Sequence, residues 1–346
     1  MDHVQSFVEF LCDNGLAPAD RREIILDDRC HRFRLSDERV GKDSSTYQVA
    51  VDGDFAFGWV RSHKMAETLK YSSGKKGQWT AEQKKEFAAR MRAQKEAAAL
   101  DRENQHVDAA LAARQIWAGG ETHHGKGFPP HPYAMKKNFD LPGLKVERGN
   151  ILVPLYDVAD GKIWNLQRID KSGGKKFLPG GRVNGLAFPL GRRVLMCDQP
   201  FVFCEGVATG KTLERVLELP VVCAMVAGNL EAVAKAYRRK YKYARFLFAA
   251  DFDMWTMDAK IKAEKFADVD LKQMDGADRR FEEWRKAGYM VNIGQEKAEA
   301  AAKAVDGVVV SMPESLRFNR MKPTDFNDLS ESSGDAIIRQ IFKAYL

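Results

Sequence analysis

The sequence has no pair of cysteines spaced CxxC. Its five cysteines, Cys12, Cys30, Cys197, Cys204 and Cys223, therefore do not build the zinc ribbon in which thiolates two residues apart share an ion. Cys197, Cys204 and Cys223 lie in or beside apolar runs (RRVLMCD, FVFCEG, PVVCAM), which predicts reduced core thiols. Nor is there any run of about 18 apolar residues, the length a spanning helix needs. The opening MDHVQSFVEF lacks a basic segment leading into an apolar stretch, so no signal peptide and no membrane partner are expected, and the expected location is the cytoplasm. Internal repeats are missing as well. Histidine is scarce, and three of the seven, His123, His124 and His131, fall in GETHHGKGFPPHPY. Its glycines and prolines predict a surface loop; the alternative is a histidine metal site.

What is present is charge on a substantial apolar base. Hydrophobic residues make up 45% of the 346 and charged residues 30%, with a net charge of +7. That length suits two or three folded units. The positive balance suits a polyanionic partner such as nucleic acid, or a merely basic soluble protein.

Residues 1–75 read as a small strand-containing unit. HRFRL and TYQVAVDGDFAFGWV carry β-branched and aromatic residues, with Asp52 and Gly53 as the turn signal. Residues 76–118 form a charged linker. From Thr80 to about Trp117 it is rich in Ala, Glu, Lys, Arg and Gln and predicts one long helix or two. Residues 119–196 follow as a mixed α+β segment, with ILVPLYDV, KIWNLQRI and RRVLMCD as strands. From residue 197 to 346 strands alternate with helices: FVFC, TGKTLERVLEL, PVVCAMV, LEAVAKAYRRKY, ARFLFAA, QEKAEAAAKAV and GVVVSMP. Short apolar runs between amphipathic helices predict an α/β fold with βαβ units on a parallel sheet buried on both faces. Residues 254–291 interrupt this pattern as an insertion that is charged and contains Trp255 and Trp284.

In such sheets ligands lie beyond the carboxyl ends of the strands. Glu205 directly follows one apolar run, and Asp251 and Asp253 follow another. Carboxylates spaced i, i+2 at one strand end, joined by a third from a neighbouring strand, can hold a hard cation such as magnesium. A competing motif, Gly206 to Thr212 (GVATGKT), ends like a phosphate-binding loop. It is one residue short of GxxxxGK[ST], and Glu205 stands where phosphate would approach.

EGVATGKTLERV, PVVCAMVAGNL, RFLFAADFD and KPTDFNDL together resemble the Toprim domain of DNA primases from conjugative plasmids, satellite phages and mobile elements. HPYAMKKNF, GNILVPLYDVADGKIWNLQRI and KKFLPGGRVNG resemble the part of the primase core that precedes the Toprim sheet. TYQVAVDGDFAFGWV resembles the small leading domain of those primases. The resemblance implies a Toprim-type sheet over 197–346, preceded by a primase-core subdomain. It implies synthesis of short RNA primers on single-stranded DNA from ribonucleoside triphosphates with magnesium or manganese, and a replicative helicase as a further partner. By motif it assigns Glu205, Asp251 and Asp253 to catalysis and metal binding, with Asp328 a further metal contact. It matches Gly228 and Asn229 to a family turn. Arg168, Lys175, Lys176, Lys211, Asn229 and Asp325 make up the expected nucleotide- or template-binding set. Two other functions use the same residues: a Toprim-type nuclease, and a non-catalytic protein that binds single-stranded DNA.

Overall fold

The computed structural model describes residues 2–41, 43–53, 55–62, 64–65, 67–73, 81–122, 130–191, 199–253, 256–257, 261, 265–266, 269, 279–317 and 323–346. Cys197, His123, His124 and Trp255 lie outside them, as does the whole of the expected strand RRVLMCD. The chain divides into two compact units, Met1–Ala97 and Ala98–Leu346.

In the first unit a helix, α1 (His3–Asp13), is followed by an antiparallel meander of β1 (His31–Phe33), β2 (Ser45–Asp52), β3 (Phe55–Arg61) and β4 (Leu69–Ser72). Asp2 caps α1 by accepting from the Val4 and Gln5 amides. Alternation along the strands sends Tyr47, Val49, Val60 and Tyr71 to the side that receives Phe7, Val8 and Leu11 of α1. The β2–β3 register, Asp52 against Phe55, leaves the tight turn that Asp52 and Gly53 predict.

One helix, α2 (Ala81–Gly119), covers the charged stretch, and the boundary between the units falls inside it rather than at its ends. In the second unit Ala113 of this helix packs against Ile163, Leu166 and Leu178.

The second unit then adds α3 (Pro132–Lys136), β5 (Lys145–Glu147), β6 (Asn150–Asp157), β7 (Ile163–Ile169), β8 (Lys175–Phe177) and β9 (Leu186–Leu190). It continues with β10 (Phe201–Cys204), α4 (Val207–Leu217), β11 (Val221–Cys223), α5 (Leu230–Lys240) and β12 (Phe246–Ala249). After these come β13 (Thr256–Met257), α6 (Arg279–Lys286), β14 (Met290–Val291), α7 (Ile293–Val305), β15 (Val308–Val310), α8 (Glu314–Arg317), α9 (Phe326–Ser333) and α10 (Asp335–Lys343).

A mixed sheet runs β15-β12-β10-β11-β9-β6-β7-β8, with β5 on β6. β15, β12, β10 and β11 are mutually parallel; the strands from β9 onward pair antiparallel. Residues 119–196 and 197–346 therefore share one sheet, joined where β9 pairs with β11. In the parallel half, successive residues face opposite layers. Val202, Cys204, Leu247 and Ala249 meet α4, α9 and α10. Phe203, Phe246, Phe248 and Ala250 meet α5 and α7. Each such buried aromatic or aliphatic side chain contributes roughly 1.5–3 kcal/mol. Cys204 and Cys223 are in register with Sγ atoms 3.7 Å apart and remain free thiols. Within the insertion, β13 pairs with β14 over a small cluster of Met257, Met290, Phe266 and Trp284. Among the described residues no helix is long and apolar enough to cross a membrane.

Arg238 ties the end of α5 to its neighbours. Its Nε and Nη2 donate to the Val305 carbonyl at 3.0 and 2.8 Å, and its Nη1 donates to the Lys242 and Ala244 carbonyls at 3.0 and 2.7 Å. Its guanidinium lies 4.0 Å over the Phe246 ring. Arg238→Ala removes every one of these donors while leaving the carbonyls in place. It is expected to cost about 3 kcal/mol, read as a lower denaturation midpoint in urea.

Candidate functional site

The acidic site forms because two parallel strands end side by side. Phe203 of β10 pairs with Phe248 of β12. Extending that register sets Glu205 opposite Ala250, next to Asp251. Asp325, at the head of α9, joins them. Burial and the charges of Asp325, Glu205 and Asp253 hold the Asp251 carboxyl well above the usual carboxylate range, and Lys175 opposes the shift. The residue is only half-buried, but its Oδ1 is fully sheltered and has no hydrogen-bond partner among the described residues. Glu205 is pushed up by burial and by Asp253, against the pull of Lys175. Asp325 is pushed up by burial and by Asp328, although the Asp328 amide, Lys137 and the Thr209 hydroxyl favour its charged form. These acids repel one another, and such a cluster favours any cation that enters it.

Asp253 is fixed by backbone. Its Oδ2 accepts from the Gly294 amide at 2.9 Å, and its own amide donates to Asn292 Oδ1 at 2.9 Å. Asn292 also caps α7 by accepting from the Gln295 amide. The first turn of α7 is thus docked onto the strand end that carries Asp251. Lys175 reaches the same place: its Nζ would lie 3.9 Å from a Cβ on Gly206.

The other expected site residues have different surroundings. Asp328 forms an ion pair with Lys137 at 2.7 Å and accepts from the Thr324 amide and hydroxyl. Burial pushes it up, but Lys137 and Thr324 override this and hold it below the usual range. Its oxygens are already engaged. Lys211 is buried, donates to the Pro142 carbonyl at 2.7 Å and pairs with Glu214 at 3.6 Å. The GVATGKT segment begins α4 rather than an open phosphate loop. Gly210 is there for packing, since a Cβ would stand 2.2 Å from Cys223 Sγ. Asn229 is buried and bridges loops, accepting from the Gly185 amide and donating to the Leu186 and Ala224 carbonyls. Arg168 is paired with Glu147 at 2.9 Å; Lys176, opposite it on β8, is exposed. His131 caps α3, with Nε2 3.0 Å from the Gly149 carbonyl.

Sequence reasoning passed over Lys137, Thr209, Asn292 and Gly294. Asn292 ahead of a helix was a readable capping signal. The pairing of Lys137 with Asp328 spans 191 residues and leaves no local trace.

Among the described residues, no three His, Cys, Asp or Glu side chains are grouped so as to hold a metal ion. The all-carboxylate character of the site and the orphaned Asp251 Oδ1 suit a hard cation. Magnesium is commonly held by one or two carboxylates, with water and substrate phosphate completing its shell. The site fits that mode and not a closed cage of protein ligands.

The second unit is thus a mixed α/β structure with an acidic site at the carboxyl ends of parallel strands. No family model matches the chain. Two curated Escherichia coli proteins named DNA primase TraC are similar to it. One is 28% identical over 364 residues, covering 92% of this chain and 33% of its own length. The other is 27% identical over 313 residues, covering 88% and 19%. The chain spans a third or less of these relatives. Among solved structures, the zinc-binding and RNA polymerase domains of Aquifex aeolicus primase align with 89% of this chain and 80% of their own at 11% identity and a TM-score of 0.41. The RNA polymerase domain of Mycobacterium tuberculosis primase DnaG aligns with 62% of each chain at 13% identity and a TM-score of 0.31. Likeness at those scores says nothing about chemistry.

Proposed function

We propose that this chain is the catalytic part of a primase. It would build short RNA primers on single-stranded DNA from ribonucleoside triphosphates during replication of a plasmid, phage or other mobile element. We assign residues 197–346 to a Toprim-type domain, and name a replicative helicase as a further partner. The names of the two Escherichia coli relatives support the activity. The observation that carries the reading is the convergence of Glu205, Asp251, Asp253 and Asp325 on one strand-end site, with Lys175 as the cation among them.

Magnesium, or manganese in its stead, is the proposed cofactor, held by Asp251 and Glu205. When bound it would neutralise charge on the phosphoryl group in transfer. The chain's own residues do the rest. Asp253, pinned by the Gly294 amide, keeps the third carboxylate aimed at the site. Asp325 and Lys137 steady the α9 end. Lys175 would meet triphosphate oxygens as the 3′-hydroxyl of the preceding nucleotide bonds to the α-phosphate and pyrophosphate departs from it. No side-chain nucleophile is required.

The test is a primer-synthesis assay with single-stranded DNA, labelled ribonucleoside triphosphates and magnesium or manganese. Short RNA products, lost on chelation, are expected. Cleaved template without products would sink the primase reading in favour of a nuclease.

A further inference from the structure

Helix α5 and the loop after it read LEAVAKAYRRKYKYAR. A groove of about 640 Å³ runs beside this helix, between it and the β6–β7 turn with the segment around Arg182. Its floor on the helix side is small, Ala232 and Ala236, so an extended chain can approach the backbone. Its rim is cationic: Lys235, Arg239 and Lys240 from α5, and Arg182 opposite. The carboxylates nearby are already engaged. Asp157 holds Arg182, and Glu231 holds Lys235 in an exposed helix pair of the kind that is weak in water. Lys240 donates to the Val158 carbonyl. The side chains of Arg239 and Lys242 are exposed and make no hydrogen bond or ion pair among the described residues. Beside them Tyr243 is 93% exposed.

The groove has a direction. At one end Gly185 is bound to Asn229, just ahead of α5, at the carboxyl edge of the sheet where the acids lie. α5 then runs back toward the opposite edge, carrying Arg239 about 14 Å along its axis from Leu230. The groove thus leads from the acid-bearing edge of the sheet to Arg239, and the chain continues from there into the exposed Lys242 and Tyr243.

We propose that this groove, continued by the loop after α5, is a second nucleic-acid contact, in which Arg239 in the groove and Lys242 in the loop grip the backbone of a single strand and Tyr243 of the loop stacks on a base. Free cations interleaved with an exposed ring are what sequence-tolerant single-strand binding uses. An acidic protein segment would satisfy the charges but would leave the exposed ring without a role. The proposal rests on the primase reading only for which strand is held.

The test is fluorescence anisotropy with the full chain and a labelled oligothymidylate, across a sodium chloride series. Arg239→Ala with Lys242→Ala removes two phosphate contacts. It should flatten the slope of log affinity against log salt by about 1.4, because each contact on a single strand contributes about 0.7. Tyr243→Ala should weaken binding about tenfold with the slope unchanged, since stacking releases no counterions. Lys303→Ala, an exposed lysine on α7, should change neither beyond its single charge. An unchanged slope in the double variant overturns the proposal, as does loss of polyglutamate binding with oligothymidylate binding intact. Primer synthesis by the wild type reports separately on the primase reading. A chain that makes no primers but loses the salt slope in the double variant upholds the groove and sinks that reading.

Discussion

Asp251→Asn is expected to abolish primer synthesis while raising the melting temperature of the chelated protein. The loss should be on the order of a thousandfold, equivalent to the several kcal/mol a bound ion supplies to phosphoryl transfer. The stability gain follows from linkage. The Asp251 carboxyl lies well above its ordinary value of 3.8 in the folded chain, because it is sheltered from water and faces the charges of Asp325, Glu205 and Asp253. Between the unfolded and folded values the native state holds the proton more tightly. This group's contribution is therefore fully present below 3.8 and is lost as pH rises through the raised value. Glu205 and Asp325 act in the same direction. Asp328 and Asp335 act oppositely. They are held low, and what they contribute is lost only as pH falls below about 3.8 through their lowered values. The two windows do not overlap. Asparagine keeps the shape and carries no charge, so it should gain about 3 °C or more at pH 8 in chelator. Magnesium should then raise the melting temperature of the wild type more than that of the variant. A variant less stable than the wild type at pH 8 in chelator would contradict this account.

Much of the acidic site could be read from the sequence because parallel strands buried on both faces are short apolar runs, and their ends are visible. FVFC and FLFA stop at Glu205 and just before Asp251, and extending the strand register brings those ends together. Local pattern failed where tertiary partners decide. Asp328 looks like a ligand in KPTDFNDL, but Lys137 and Thr324 claim its oxygens. Lys211 looks like a phosphate lysine, but α4 turns it into the core toward Pro142. β9 was not among the expected strands, and the contact that makes it one, Pro189 opposite Val222 of β11, is distant in the chain. Asn229 matched a family turn, yet its three hydrogen bonds hold loops together rather than reach the acids. Residue type and spacing thus marked the acidic strand ends, whereas the partners of each polar side chain depended on contacts distant in the chain.

Gly294→Ala should damage both stability and activity, although alanine is the better helix former. Gly294 lies in the first turn of α7, where replacing glycine by alanine would ordinarily gain up to about 1 kcal/mol. Here a Cβ would stand 2.9 Å from both the Cβ and the carbonyl oxygen of Asp251, and 3.1 Å from its carbonyl carbon. Those are mostly backbone atoms at the end of β12, and they yield only if the strand end or the helix moves. Overpacking of this kind costs about 1–3 kcal/mol, so the clash outweighs the propensity gain. The displacement falls on the pair that matters. The Gly294 amide holds Asp253 from one side, while the added methyl group would press on Asp251 from the other. A shift of about 1 Å at a catalytic group can cost a hundredfold in rate, and a loss of that size is expected in primer synthesis. Gly228→Ala is the comparison, because nothing lies within 4 Å of the added carbon; it should leave melting temperature and rate close to wild type. Primer synthesis by Gly294→Ala at the wild-type rate would show that α7 does not hold the acids in place. A loss confined to Gly294→Ala would show that the docking of α7 against β12 sets the aim of the two aspartates.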